Sequence, residues 1–382
     1  MANIVYLVGA GFSKSLEKPG KPIPLMLDFV SVMADYLHDD IILTTMVELE
    51  IAGLYEWKSD RALQIAQNGY KDVQSWTTKT RSEFRRALKD RPRESVEMLL
   101  ERSDRYLRMN FRYAINRFFY LIEWDLNWYP LDRFIDRQFQ GADSHTFVSF
   151  NYDLLLDRSI EKHSTDWNVQ NGYGFEIEYF LDEEPPPSKD GFVDLVKAKP
   201  LPVEPPAKVS ILKPHGSLNW LGIERIPFQY GPGGTLFEDR PPIVFLRAPG
   251  EIGYFGSRDA LKKVSVGAGC GLSVEPYIVP PVAAAKSQSP VFMSQVRRSE
   301  EEAITSADEI YLIGWSLPET DKDQESLIRC AVRNRECPVS SLTVVNLGAG
   351  PAYFRRIAEV FGVDASSMKV CNDGFGTFVD TL

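Results

Sequence analysis

Asn151 and Asp153, in the stretch Phe150-Asn151-Tyr152-Asp153, and His215, in Lys213-Pro214-His215-Gly216-Ser217-Leu218-Asn219-Trp220, are residues whose types and surroundings could do chemistry. An asparagine amide offers donor and acceptor at one point, and a carboxylate can hold a ribose hydroxyl or a carboxamide. His215 is flanked by Pro214 and Gly216, which constrain its loop. A neutral imidazole near pH 7 can take a proton from a sugar hydroxyl. The other histidines read as structural, His38 and His163 in helical stretches and His145 just before a strand. Asp153 also suits an Asx-type helix cap after a strand, so this stretch alone leaves both readings open.

Two glycine turns add backbone donors. Gly9-Ala10-Gly11-Phe12-Ser13 directly follows the apolar run Ile4–Val8. Glycine lets the backbone turn sharply and approach a ligand closely, and a helix starting there would aim free N–H groups at a pyrophosphate. The third glycine of the dinucleotide fingerprint is missing, because Lys14 stands three residues after Gly11. A plain strand-to-helix turn therefore remains an open reading. In Ile313-Gly314-Trp315-Ser316-Leu317-Pro318-Glu319-Thr320-Asp321, Gly314 and Ser316 could bring donors to phosphate. Asn346 ends the run Leu342–Val345.

These residues need elements that hold them at a common edge. Continuous apolar, β-branched runs at Ile4–Val8, Thr146–Phe150, Val209–Leu212, Ile243–Leu246, Ile310–Ile313 and Leu342–Val345 read as buried strands of a parallel sheet. Several are followed by turn residues and an amphipathic stretch, which predicts an α/β class with a Rossmann-like, mostly parallel sheet. Ligands of such sheets bind at strand carboxyl ends, where the polar residues above stand. From Leu27 to Gln138 strand-like runs nearly vanish. Leu107, Phe111, Ala114, Ile115, Phe118 and Ile122 recur at helical spacing, and Pro92 and Pro130 punctuate helix ends. Residues 31–138 are thus expected as a helical insertion in a discontinuous domain of residues 1–30 and 139–382. Leu181–Pro206, rich in proline and acids, reads as an exposed excursion, and Gly222–Gly271 as loops and small strands.

Composition bounds the function classes. The chain has 382 residues, a net charge of -10, 44% hydrophobic and 25% charged residues, which suits a soluble globular protein and argues against phosphate-backbone attraction as its default mode. Direct nucleic-acid binding is not expected. The basic strip Arg81, Arg85, Arg86 and Lys89 reads as a solvated helix face. No signal peptide or membrane-spanning segment is read, and a cytoplasmic location is expected. Cys270, Cys330, Cys337 and Cys371 are scattered without a Cys-x-x-Cys pair, so neither a disulfide framework nor a zinc site is expected.

The motifs taken together, at successive strand ends and in this order, resemble the sirtuin superfamily, and more closely its bacterial sirtuin-like branch associated with antiphage defence. Tyr277-Ile278-Val279-Pro280-Pro281 and Lys286 fit the same branch, and the resemblance covers about residues 1–30 and 145–350. It implies an NAD glycohydrolase that releases nicotinamide and ADP-ribose, with NAD as substrate and no metal. Asn151 and His215 would be catalytic, Asn151 positioning the ribose and the attacking water and His215 acting as base on the ribose hydroxyls. Gly9, Ala10, Gly11 and Ser13 would carry the pyrophosphate, Asp153 the carboxamide, and Gly314, Ser316 and Asn346 the adenosine half, with Phe12 also in the NAD site. Pro24, Asp28, Gly216 and Ser217 would also line the NAD site. Three departures stand out: the four-cysteine zinc module is missing, Phe150 replaces the glutamine before the catalytic asparagine, and a Pro-Asp-Phe-Arg stretch is loosened to Pro24, Asp28, Phe29 and Val30. Losing the zinc module argues against deacylation. An ADP-ribosyltransferase, or a sensor that binds NAD or ADP-ribose without turnover, are the competing readings. The resemblance further implies gating, through a homo-oligomer or a partner such as a HerA-type DNA-translocating ATPase.

Overall fold

The computed structural model describes residues 2–53, 61–90, 96–103, 105–141, 143–182, 198–225, 241–248, 251–255, 272–279, 291–318 and 321–382. Its strands are β1 (Asn3–Val8), β2 (Ser144–Ser149), β3 (Tyr179–Leu181), β4 (Lys199–Pro200), β5 (Val209–Leu212), β6 (Gly216–Arg225), β7 (Ile243–Ala248), β8 (Glu251–Ile252), β9 (Leu272–Ile278), β10 (Glu309–Ile313), β11 (Ser341–Val345) and β12 (Lys369–Cys371). Six of them form one all-parallel sheet in the order β12-β11-β10-β1-β2-β5. The chain winds outward from β1 through β2 to β5, then returns to the other side of β1 and winds outward through β10, β11 and β12. This is a Rossmann-like α/β fold whose strand order reverses between β1 and β10, the switch point where such sheets open a crevice.

The apolar runs become parallel strands because both faces of this sheet are covered. Val5, Leu7, Phe147, Val148, Ile211, Ile310, Leu312 and Val344 are buried, so side chains on either face meet protein. The helix Val291–Ser306 packs on β1 and β5. One run departs from expectation. Ile243–Leu246 lies in β7 of a second sheet, ordered β4-β3-β7-β6-β9, in which β7 runs antiparallel to β6. An apolar run reports burial on both faces but not the direction of its neighbour.

The segment between β1 and β2 is helical where described: Asp40–Ala52, Arg61–Gly69, Thr78–Lys89, Val96–Glu101, Arg105–Ile122 and Tyr129–Gln138 carry most of it. Every member of the Leu107–Ile122 stripe is buried, in one continuous cluster with the sheet residues. Asp39 caps Asp40–Ala52 by accepting from Ile41 N, and its other carboxylate oxygen accepts from Arg117 at 2.8 Å, which ties that helix to Arg105–Ile122. Pro130 falls in the first turn of Tyr129–Gln138, where a missing N–H costs nothing. Arg81 and Lys89 pair with Asp40 and Asp35 on a partly solvated helix face.

Of the insertion's tryptophans, Trp76 is buried and Trp128 half-buried, whereas Trp124 is 71% and Tyr129 61% exposed. Among the described residues, no helix is long and apolar enough to cross a membrane. Residues 199–206 of the expected excursion are mostly exposed. Residues 183–197, the glycine-rich stretches 226–240 and 256–271 with Cys270, and Trp57, Pro92, Pro280, Pro281, Lys286, Glu319 and Thr320 lie outside the described residues.

Candidate functional site

The parallel register sets Asn151 and His215 at one level. Val148 of β2 is the partner of Leu212 in β5, and each polar residue follows three positions later. Both therefore leave the carboxyl edge of neighbouring strands. The ring of Phe150 connects this edge to β10, stacking on Trp315 at 4.3 Å and lying 5.7 Å from the His215 ring. Behind His215, the backbone of 277–279 closes the loop, with Val279 N donating to His215 O and Tyr152 OH to Val279 O.

Asn151 is buried and its amide is oriented from within. Its Nδ2 donates to Gly9 O and to Ser13 Oγ, both at 2.9 Å. With both hydrogens used, Oδ1 is the part of the amide left to accept from a ligand hydroxyl or water. Ser13 Oγ passes its own hydrogen to Asp153 Oδ2 at 2.7 Å. The other oxygen of Asp153 accepts from Leu155 N at 3.1 Å, an Asx-type bond at the start of helix Leu155–His163. Burial raises the Asp153 carboxyl above its usual range, against the opposing pull of Lys213 and the Ser13 bond. Both oxygens of Asp153 are engaged inside the protein, so a direct grip on a carboxamide is not its resting arrangement.

Below this lies a buried polar chain that the sequence reading did not single out. Lys213 Nζ, fully buried, donates to Asp153 O at 2.6 Å and to both oxygens of Asp157 at 3.0 and 3.2 Å. Tyr173 OH donates to Asp157, Asn219 Nδ2 to Tyr173 OH, and Ser217 Oγ to Asn219 Oδ1. The chain ties the loop after β2 to the loop between β5 and β6. Its only sequence signal was a lysine and an aspartate at the edges of apolar runs.

The glycine turns meet each other. Gly9 N donates to Ile313 O and Gly11 N to Gly314 O, and a Cβ on Gly314, whose φ is +62°, would come within 2.2 Å of Phe12 N. Gly216, at φ +84°, faces Tyr277 O equally closely. The glycines are thus required by loop-to-loop contact at the switch point. Two donors expected to face a pyrophosphate are spent on that contact.

Other expected site residues divide. Phe12 points into the core against Phe375, and Ser217 is fully buried in the chain above, which leaves their backbone groups as the part that could meet a ligand. Asp28 accepts from Leu25 N within its own loop, and Lys14 holds that loop, with half-buried Pro24, against the first helix, Ala10–Lys14, through Ile23 O. Ala10 is half-buried at the start of that five-residue helix. Ser316 is exposed beyond β10, and Asn346 is half-buried beyond β11, its Oδ1 accepting from Leu347 N. His145 lies within β2 rather than before it, buried against Tyr6 OH at 3.1 Å, and burial lowers its pKa. His38 sits in a turn, and His163 ends a helix beside Asp132 and Asp136.

One carboxylate was quoted in a motif without a role. Asp321 begins the helix Lys322–Arg333 at its N-cap position, yet makes no side-chain cap bond. Its Oδ1 lies 3.7 Å from His215 Nε2, and both side chains are largely buried. Among the described residues no group of three or more His, Cys, Asp or Glu stands together in a way that could hold a metal ion. Cys330 and Cys337 are exposed and free. No protein-family model matches the chain, and no curated protein matches it.

Proposed function

We propose that this chain is a sirtuin-like NAD glycohydrolase that cleaves the nicotinamide–ribose bond with water as acceptor. The observation that carries the reading is the placement of Asn151 and His215 at one level beyond neighbouring parallel strands, with both amide hydrogens of Asn151 donated within the protein and its oxygen left as the acceptor. In such a site Asn151 Oδ1 accepts from the attacking water or from a ribose hydroxyl and fixes it below the anomeric carbon. The C–N bond to nicotinamide breaks through an oxocarbenium-like state, nicotinamide leaves with the bonding pair, and the water oxygen bonds to C1′ while one water proton replaces the ribose hydroxyl proton that His215 has taken and would pass to solvent. His215 takes a proton from a ribose hydroxyl and favours positive charge on the sugar. In sheets of this kind a dinucleotide lies at the switch point, here between β1 and β10 beside this edge, and that is where the reading puts NAD. Because Gly9 and Gly11 spend their N–H groups elsewhere, the pyrophosphate would rest on the remaining donors of the turn.

An enzyme of this kind depletes its host of NAD, so the reading includes a gate, through self-assembly or a partner chain of the DNA-translocating ATPase type. Trp124 and Tyr129 supply exposed aromatic surface for such a contact. The test is nicotinamide release from NAD by the purified chain, with light scattering in parallel and with Asn151→Ala and His215→Ala as comparators. Wild type is expected to release nicotinamide under activating conditions, and each variant to lose at least about 100-fold while still unfolding cooperatively, Asn151→Ala at a somewhat lower temperature for its two lost buried bonds. A variant that keeps full turnover removes its residue from the mechanism. ADP-ribose binding without any release would favour the sensor instead.

A further inference from the structure

We propose that Asp321 is a positioning residue for His215, holding the imidazole edge and stabilising the imidazolium formed when that ring accepts a proton. The inference rests on the reading of His215 as the base in NAD cleavage. Asp321 occupies a helix N-cap position, where an aspartate usually accepts from a backbone N–H of the first turn. Here it makes no such bond and stands 3.7 Å from His215 Nε2. That separation exceeds a direct hydrogen bond, and catalytic contacts in empty sites commonly tighten once substrate is bound. The ring itself is held on its other sides by Phe150 and Tyr152.

The charge balance around the pair supports this role. When the imidazole takes a proton from a ribose hydroxyl, an O–H bond breaks, an N–H bond forms, and the ring gains a positive charge in a largely buried place. A carboxylate at this distance is the compensating charge. Tyr152, beside the ring, has its phenol pushed up by burial and by the Asp321 charge and stays neutral, while Glu97 and Arg112 act on it with opposite signs. On the helix side, Glu300 is fully buried with Arg297 and Asp323 as charged neighbours, and burial raises its carboxyl to about 8. Glu300 is therefore mostly protonated at neutral pH and, among the described residues, leaves Asp321 as the carboxylate that meets the histidine charge.

The test compares Asp321→Asn and Asp321→Ser with wild type. Serine is a good helix cap without charge, so it preserves any capping role while removing the carboxylate. Histidine NMR, with His215 assigned through His215→Ala, reads the titration midpoint whether or not NAD is cleaved. Both variants are expected to lower the His215 midpoint by about one unit. In the release assay the acid limb of the rate profile should move down by a similar amount. Its maximum should drop roughly 10- to 100-fold, with KM within about threefold. An unchanged midpoint in both variants overturns the proposal. So does an asparagine defect that serine rescues, since that would make Asp321 a cap. A wild-type chain that releases no nicotinamide overturns the NAD reading instead, while the midpoints still decide whether the two side chains are coupled.

Discussion

At the scale of single residues, the least expected feature is a lysine with no exposure to solvent. Lys213 stands next to the proline that constrains the His215 loop, and its ammonium is satisfied by Asp157 and a backbone carbonyl. Removing one partner of such a pair leaves a buried charge uncompensated, which costs about 3–5 kcal/mol. Lys213→Met is therefore expected to lower unfolding stability in urea by that amount. Adding Asp157→Asn should recover part of the loss, because the stranded carboxylate is gone; a double variant no more stable than Lys213→Met contradicts this account. Asn151 and His215 were legible in sequence because a polar residue just past an apolar run has few structural duties. Lys213, Asp157 and Asp321 were not, since each acquires its meaning from a partner on another element. That the Phe12 and Ser217 side chains turn inward was not legible for the same reason. A motif lists residue types, and which of them turn inward is decided by packing against Phe375 and Asn219.

At the scale of elements, the turns after β1 and β10 act as one piece. Gly314 and Gly348 have nearly the same backbone conformation, φ +62° and +66°, but only Gly314 faces another backbone; nothing lies within 4 Å of a Cβ at Gly348. Alanine at Gly348 should cost about 1 kcal/mol for the left-handed conformation alone. Alanine at Gly314 adds a clash with Phe12 N and should cost about 3 kcal/mol or more. Denaturant unfolding of both variants separates conformational strain from crowding, and equal losses would mean the loop contact carries no weight. The strands themselves were legible, since five of the six apolar runs lie in the parallel sheet. Ile243–Leu246 was assigned to the wrong sheet, because pairing direction is a non-local property set here by β6.

At the scale of the whole molecule, two acids, Glu300 fully buried and Glu161 half-buried, set an unusual pH dependence. Burial raises Glu300 to about 8 and Glu161 to about 7, both from 4.5. A carboxyl whose folded value is raised keeps its proton in the native state while the unfolded chain has lost it. Its contribution is thus most favourable below about 4.5 and is lost progressively as the pH rises through the folded value. Glu300→Gln should therefore raise the melting temperature more at pH 8.5 than at pH 5.5, with Glu161→Gln behaving alike over a slightly lower range. A gain independent of pH would mean that the acids are not protonated in the folded state.

The contact between Gly11 and Gly314 joins points about 300 residues apart in the chain. At ribosomal speeds of about 5–20 residues per second, the first glycine turn waits roughly 15–60 s before its partner exists. During that interval β1 has no strand on its β10 side, and Gly9 and Gly11 have no carbonyls to receive their N–H groups. The His215 loop is made well before residue 321, so a growing chain carries the base without its carboxylate. A protein with this arrangement cannot assemble this edge until β10 and residue 321 have been made, and a chain cut short by premature termination before β10 is left with a half-built edge.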